Sequence, residues 1–307
     1  MTPMPKLILH TGLHKTGTTS VQKMLHQNVG ALAQQGFLYP KTGLADGVTN
    51  WGHHPLAYAL RNLKTGRELW QALRAEVEDA QLPNVIVSSE ELSLLPFHTF
   101  PALQPYRLIA ELFKGYQIIV LCYLRPQEDM AASLYNHHVK SVGESRDILA
   151  FLTDVAPRLE YMQYLHVASA ALGDAALDVR RYGPQWLKGD ILDDLAHHIG
   201  LKLTVDIQRP KMELNPGLTD TGLAAMRKAN LRFIDNPVKL KIERRRILAV
   251  NKARPFESAN SLTPDLQAAI KALYNYKNVQ IGRRFLRLDG NLFDPDVKPL
   301  PRPAKIV

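Results

Sequence analysis

An apolar run followed by a glycine- and threonine-rich turn, near the start of the chain, constrains the fold more than any other feature. Residues 7–9 are apolar, and residues 10–19 read HTGLHKTGTT. The apolar run is typical of a buried parallel strand, and apolar residues at helical spacing follow from Val21 to Leu32. A strand that enters a helix through a glycine loop presents backbone N–H groups to a phosphate. The sequence therefore predicts an α/β protein with an anion-binding loop.

The lysine of this loop stands at an unusual place. Nucleotide kinases carry GxxxxGK[ST], in which the lysine directly follows the second glycine. Here Gly12 and Gly17 keep the glycine spacing, but Thr18 occupies the lysine position and Lys15 lies inside the loop. We therefore expect the loop to bind an anion without holding ATP for transfer of its γ-phosphate.

A second segment with phosphate-binding character follows a buried strand in the middle of the chain. The apolar residues 118–124 end at Arg125 and Pro126, and Ser133 follows eight residues after the arginine. Proline is well tolerated in the first turn of a helix, which places Ser133 about two turns further along. The guanidinium of an arginine matches the geometry of a phosphate dianion.

The two segments together resemble the sulfotransferases that use 3′-phosphoadenosine 5′-phosphosulfate (PAPS), most closely their bacterial and carbohydrate-acting branches. There, KTGTT followed by a helix is typical, and the resemblance covers about residues 6–200. It implies that PAPS donates the sulfuryl group, that Arg125 and Ser133 bind its 3′-phosphate, and that Lys15 neutralises the leaving phosphate. Because the chain offers no convincing metal-ligand set, we also expect that no metal takes part. The resemblance also implies a set of loop residues that hold the 5′-phosphosulfate: Gly12, His14, Lys15, Thr16, Gly17, Thr18 and Thr19.

Transfer to a hydroxyl needs a general base, for which the sequence offers four candidates. The family places a histidine or a glutamate after the strand that ends at Ser88, or in the loop before that strand. Glu90 matches best, and Glu91 is next to it. His53 and His54 are the rivals, because imidazole accepts protons near neutral pH. The lysine that some branches carry near Ser88 is missing from this chain.

Strand-like and helix-like segments alternate, which predicts a doubly wound, mainly parallel sheet. We expect one domain over residues 1–307, with a core at about 6–205, a helical C-terminal part at about 210–290 and an extended tail at 291–307. Pro210, Pro216 and Pro237 punctuate the helical part. The predicted strands are the first apolar run and residues 36–40, 84–88, 116–124 and 177–182. The predicted helices lie at about 54–63, 66–80, 99–114, 127–142, 157–172, 185–199 and 264–288.

Composition excludes some classes of protein but does not identify the reaction. The single cysteine, Cys122, excludes an intrachain disulfide framework and lies in a strand pattern. The formal net charge of +9 suits an anionic donor, and no nucleic-acid-binding motif accompanies it. The basic run at residues 239–246 is typical of a solvated helix face, or of a patch that faces the acceptor. No apolar run reaches membrane-spanning length, and residues 1–6 lack an apolar signal core, so we expect a protein of the cytoplasm or the inner membrane surface.

Two functions remain from the sequence. The first is a PAPS-dependent sulfotransferase that acts on a hydroxyl of a bacterial surface carbohydrate or a small molecule. The second is another P-loop nucleotide-binding protein or kinase, in which residues 85–90 would supply the acid that holds magnesium. Thr18 at the lysine position, and the pair Arg125 and Ser133, favour the first.

Overall fold

The computed structural model describes residues 4–48, 50–210, 217–251 and 259–300. The chain divides into two units. The first unit comprises Met1–Arg125, Glu160–Lys211 and Tyr276–Val307, and the second comprises Pro126–Leu159 and Met212–Asn275. Within the described ranges, no helix is long and apolar enough to cross a membrane.

A five-stranded parallel sheet organises the first unit. The strands lie in the order β2-β3-β1-β4-β5, so the strand order reverses at the central β1: the chain completes the β2 and β3 side first and then crosses over β1 to β4 and β5. In open α/β sheets, the carboxyl edge beside such a reversal is where ligands bind. The predicted doubly wound α/β class is thereby confirmed. The strands are β1 (Lys6–Gly12), β2 (Phe37–Leu38), β3 (Asn84–Ser88), β4 (Gln117–Leu124) and β5 (Leu177–Arg181).

Most of the other regular structure in the described chain is α-helical. Two short π-helical turns extend helices, at His138–Val142 and Gly282–Leu286. The helices are α1 (Thr18–Gln27), α2 (Val29–Gln34), α3 (His54–Ala59), α4 (Leu63–Ala80), α5 (Leu95–His98), α6 (Gln104–Leu112), α7 (Gln127–His137), α8 (Ile148–Leu159), α9 (Tyr161–Leu172), α10 (Ile191–Ile199), α11 (Asp220–Arg232), α12 (Pro237–Val250) and α13 (Pro264–Ile281).

One apolar core fixes both ends of the predicted anion loop. β1 enters the loop and α1 leaves it, and both contribute fully buried side chains to the same cluster. Burial of such side chains stabilises the fold by about 1.5–3 kcal/mol each. The loop between them is therefore held by well-packed elements. The cluster includes Ile8, Val21, Met24, Leu25, Ile86, Leu121, Tyr123, Ile191 and Leu195.

Two predicted helices begin later than expected. The helix predicted at 185–199 begins at Ile191, because Gly189 has a φ of 77° and Asp190 forms a capping box with Asp193. The helix predicted at 99–114 begins at Gln104. The extended backbone of Thr99 separates it from the short helix α5.

Three further boundaries also differ from the prediction. The helix predicted at 157–172 is two helices, α8 and α9, because Glu160 has a ψ of 61° and interrupts the helical backbone. The helices predicted to reach residues 142 and 288 end as α-helix at His137 and Ile281. A π-helical turn follows each of them.

The second unit is helical, and asparagine side chains tie its segments together. Asn136 exchanges two hydrogen bonds with the backbone of Leu218, at 3.0 and 2.8 Å. Asn230 donates to the carbonyls of Val139 and Glu144, both at 2.8 Å. In the first unit, Pro299 of the predicted tail pairs with Leu288 across an isolated antiparallel bridge. The predicted breaker Pro216 and residues 301–307 lie outside the described residues.

Candidate active site

The loop after β1 is held in a tight conformation that requires its glycines. Gly12, Lys15 and Gly17 have φ values of 72°, 59° and 80°, in the left-handed region. A Cβ at Gly12 would lie 2.7 Å from Cγ2 of Thr18 and 3.0 Å from Cβ of Glu90. Only glycine fits this position, and its absent side chain lets Glu90 approach the loop closely. A left-handed lysine is uncommon and is typical of functional loops.

The loop ends at the amino terminus of α1, which is open to an anion. Gly17 is the N-cap, no side chain caps the helix, and its first turn contains no acidic residue. The carbonyl of Gly17 accepts the N–H groups of Ser20 and Val21. The N–H groups before these have no acceptor within the helix, so they and the helix dipole favour a bound anion.

The three threonines of the loop have different environments. Thr16 is buried, and its hydroxyl donates to the carbonyl of Leu13 at 2.6 Å, which closes the turn. Thr18 is also buried, whereas Thr19 is exposed. Of the predicted threonine ligands, Thr19 is therefore the most exposed residue, and Thr16 shapes the loop.

Arg125, at the end of β4, contacts this loop directly. Its Nη1 donates to the carbonyl of Lys15 at 3.2 Å, and its guanidinium carbon lies 6.0 Å from the ring centroid of Tyr182. The hydroxyl of Tyr161 donates to the carbonyl of Arg125 at 2.8 Å. The guanidinium of Arg125 thus contacts the backbone of the loop that carries Lys15. Ser133 lies on α7 in the second unit, and its role in phosphate binding stays a prediction.

Glu90 begins the 3₁₀ turn Glu90–Leu94, directly after β3. Gln22 on α1 donates from Nε2 to its Oε2 at 2.9 Å. Burial alone would raise the pKa of this carboxyl. His14, His54, the backbone N–H of Glu90 and the Gln22 amide outweigh burial and hold the pKa below its usual 4.5. Glu90 is therefore an ionised carboxylate at neutral pH, beside the loop.

The second carboxylate, Glu91, is engaged elsewhere. Nε2 of His14 lies 3.2 Å from its Oε1, and Nη2 of Arg61 lies 3.4 Å from its Oε2. Both oxygens are thus occupied by neighbouring nitrogens. Of the two glutamates, Glu90 is the better placed to accept a proton.

His53 is buried, and both of its ring nitrogens bind backbone. Nδ1 accepts the N–H of Ser88 at 3.1 Å, and Nε2 donates to the carbonyl of Pro40 at 2.9 Å. Burial lowers the pKa of His53 to about 4. Neither nitrogen is left for a substrate proton, so this geometry does not favour the predicted role of His53 as a base.

Two more buried histidines bind the serines that precede Glu90. Nδ1 of His10 lies 2.8 Å from the hydroxyl of Ser88, and Nδ1 of His54 lies 2.8 Å from the hydroxyl of Ser89. Ser89 also donates its N–H to the carbonyl of His10 at 2.9 Å. The segment that carries Glu90 is thus fixed on both sides, by a set that we call the serine–histidine clamp: Ser88, Ser89, His10, His53 and His54.

Two members of the site were not identified from the sequence. Gln22 lies one helical turn after Thr18 on α1, a spacing that marks one face of the helix. His10 is a polar residue in an otherwise apolar strand, and burial lowers its pKa to about 4, against the opposing effect of Glu90. The sequence signal that could have indicated the clamp is the presence of polar residues at the end of an apolar, central strand.

The buried imidazole of His53 predicts a pH-dependent stability. Its pKa is about 6.5 in the unfolded chain and about 4 in the folded one, so the unfolded chain binds more protons between these values. Stability therefore falls as pH falls through this window, and His53 contributes a loss of about 2 kcal/mol between pH 7 and pH 5. In His53→Gln, which keeps one donor and one acceptor, urea unfolding at the two pH values should show a correspondingly smaller difference. An unchanged pH dependence in His53→Gln would contradict the assignment of a neutral, buried imidazole at this position.

The similarities of this chain to known proteins lie among solved structures. No protein-family model and no curated protein matches the chain. Among solved structures, a sulfotransferase from Alicyclobacillus acidocaldarius is 15% identical, with a TM-score of 0.42, over 93% of this chain and 97% of that chain. Similarity of this degree assigns neither a reaction nor a ligand. Within the described ranges, no group of three or more His, Cys, Asp or Glu side chains could hold a metal ion.

Proposed function

We propose that this chain is a PAPS-dependent sulfotransferase that transfers a sulfuryl group to a hydroxyl of an acceptor. The observation that carries the proposal is the position of three predicted elements at one edge of the sheet. The loop contacts Arg125 through the carbonyl of Lys15 at 3.2 Å, and a Cβ at Gly12 would lie 3.0 Å from Glu90. The loop that we propose binds the anion and the glutamate that we propose accepts the proton are thus neighbours.

The residues of the loop suit the phosphate end of PAPS. Left-handed Gly12 and Gly17 shape a turn, and the uncapped amino terminus of α1 lies at its end. Lys15, Thr19 and the loop N–H groups would hold the 5′-phosphosulfate, and Arg125 would hold the 3′-phosphate. Ser133 is the second residue that the sequence predicts for the 3′-phosphate. The formal charge of +9 favours such an anionic donor.

Bound PAPS supplies a sulfuryl group attached to a phosphate that can leave with the electrons of the broken S–O bond. Lys15 and the loop N–H groups stabilise the charge that develops on the leaving phosphate. Glu90 accepts the proton of the acceptor hydroxyl as its oxygen forms the new bond to sulfur. Gln22 and the serine–histidine clamp orient the carboxylate. The proton ends on Glu90, and the charge ends on the phosphate.

The acceptor class that we propose is a hydroxyl-bearing carbohydrate. Its support is the resemblance of the loop to carbohydrate-acting sulfotransferases and the basic balance of the chain, which suits an anionic acceptor. Small alcohols form the second class to test.

A transfer assay tests the proposed reaction. The protein is incubated with ³⁵S-labelled PAPS and a panel of carbohydrates and small alcohols, with EDTA present. We expect label on at least one acceptor, because Lys15 neutralises the leaving phosphate without a metal. Two outcomes would favour the alternative function, a P-loop kinase. One is transfer of the γ-phosphate of ATP instead, and the other is a loss of all activity in EDTA that magnesium restores.

Arg125→Ala separates phosphate binding from loop support. If Arg125 binds the 3′-phosphate, the affinity for adenosine 3′,5′-bisphosphate should fall roughly 10- to 100-fold, as expected for a charge-assisted hydrogen bond. The affinity for adenosine 5′-phosphosulfate, which lacks the 3′-phosphate, should change much less. Calorimetric titration with both ligands measures the difference.

The same titrations distinguish whether Arg125 binds the 3′-phosphate or supports the loop through its contact with Lys15. An equal loss for both ligands would mean that Arg125 acts by holding the loop through the Lys15 carbonyl. Arg61→Ala, which removes a nearby guanidinium paired with Glu91, is the matched control and should leave both affinities near wild type.

A further inference from the structure

The orientation of helix α12 in the second unit is fixed by contacts on its inner side. Ile247 is buried, and Nη2 of Arg244 donates to Oδ1 of Asn230 at 3.1 Å. The helix contains five Lys or Arg residues and one acid, Glu243. Helical geometry therefore identifies which residues lie on the opposite, outer side.

Large aliphatic side chains are exposed on this outer side, in the turn before α12 and in the last turn of α11. Single exposed aliphatic residues are ordinary on a protein surface. Here four occur within twelve residues, and Val238 and Ile242 lie one helical turn apart on the same face. A helix face that only contacts water gains no stability from such a row, because exposed aliphatic surface is unfavourable in water. The exposed fractions are 65% for Leu231, 69% for Ile234, 69% for Val238 and 61% for Ile242.

Exposed cations flank the aliphatic row on both sides. At 100° per residue, the row formed by Val238 and Ile242 lies between two pairs of basic residues. Nη2 of Arg246 is 2.9 Å from Oε1 of Glu243, at the border of the row. The flanking pairs are Lys241 with Arg245 on one side and Lys239 with Arg246 on the other.

We propose that this surface, named here the α12 face, docks on a bilayer that contains anionic lipids. The aliphatic side chains would enter between the headgroups, and the flanking cations would bind the lipid phosphates. A soluble polyanion would need only the cations, whereas the row of aliphatic side chains between them matches a lipid surface. This proposal is independent of the reaction. The α12 face comprises Leu231, Ile234, Val238, Ile242, Lys239, Lys241, Arg245 and Arg246.

Vesicle co-sedimentation tests the proposal with the full chain. The vesicles are phosphatidylcholine alone, or equal parts of phosphatidylcholine and phosphatidylglycerol. The wild type should bind only the anionic vesicles, and added salt should weaken binding. Lys241→Glu with Arg245→Glu should lower affinity roughly 25-fold or more, since each cation near the surface contributes about fivefold. Val238→Ser with Ile242→Ser should lower it about fivefold or more.

Matched variants elsewhere on the surface control for net charge and apolar area. Lys64→Glu with Lys114→Glu makes the same change of charge, and Leu149→Ser with Val205→Ser removes exposed aliphatic residues. Both should bind like the wild type. Circular dichroism of all variants verifies that each remains folded.

Three results would overturn the proposal. One is that the wild type fails to bind anionic vesicles. Another is that the serine variant binds normally while the glutamate variant does not, which would assign the α12 face to a soluble polyanion such as RNA. The third is a dimer in size-exclusion chromatography that dissociates in Val238→Ser with Ile242→Ser, which would assign it to a second copy of the chain.

Discussion

Glu90→Gln is expected to lower kcat by ~10²–10⁴ while leaving the affinity for adenosine 3′,5′-bisphosphate near wild type. Glutamine keeps the shape of the side chain and its contact with Gln22, which lies 2.9 Å from Oε2. It cannot accept the proton of the acceptor hydroxyl. Steady-state transfer kinetics and calorimetric titration of the bisphosphate measure the two quantities separately.

The neighbouring Glu91 provides the control for this prediction. Its carboxylate is paired with His14 and Arg61, so Glu91→Gln should change kcat far less. The pH profile gives an independent readout. Because the pKa of Glu90 lies below 4.5, kcat should stay level from pH 8 to pH 6 and fall only in more acidic solution. Near-normal turnover in Glu90→Gln, with turnover abolished in His54→Gln, would assign the proton to His54.

Lys15→Ala is expected to reduce both turnover and binding. Loss of one donor to developing charge commonly costs ~3–4 kcal/mol of transition-state stabilisation, or roughly 10²–10³ in kcat. Lys15 would also contact the phosphate in the ground state, so bisphosphate affinity should fall as well. Transfer kinetics at saturating PAPS, together with titration of the bisphosphate, measure both effects.

Two comparisons sharpen the test of Lys15. Lys15→Arg keeps the charge and should recover part of the lost turnover. Lys23→Ala removes a lysine from α1 whose ammonium lies 5.0 Å from the ring centroid of Trp51, and it should leave kcat near wild type. Wild-type turnover in Lys15→Ala would exclude a role for this side chain in neutralising the leaving group.

The fold followed from the sequence wherever a single segment carries the signal. The buried parallel strands β1, β3 and β4 are apolar runs, and the turn after β1 needs positive φ at two glycines. Helix starts depended on weaker local signals. Gly189 and Asp190 prevent the helix from beginning before Ile191, although apolar residues at helical spacing also precede them.

The contacts of the site were less predictable, because they join distant segments. Parallel pairing of β1 and β3 brings Ser88 beside His10, which could be expected only once the strand order was known. His53 is buried because the loop after β2 places the carbonyl of Pro40 against its ring, and the sequence does not show the course of that loop. Residue spacing indicated a histidine near the site, but it could not distinguish a base from a residue that holds the backbone.

A comparison of ligand-induced thermal stabilisation tests the central claim most directly. Melting temperatures are measured with adenosine 3′,5′-bisphosphate and with ATP plus magnesium, at matched concentrations. A ligand that binds only the folded chain raises its melting temperature. We predict stabilisation by the bisphosphate, with a clear reduction of the effect in Arg125→Ala. Stabilisation by ATP with magnesium and none by the bisphosphate would contradict the assignment of a PAPS-dependent sulfotransferase.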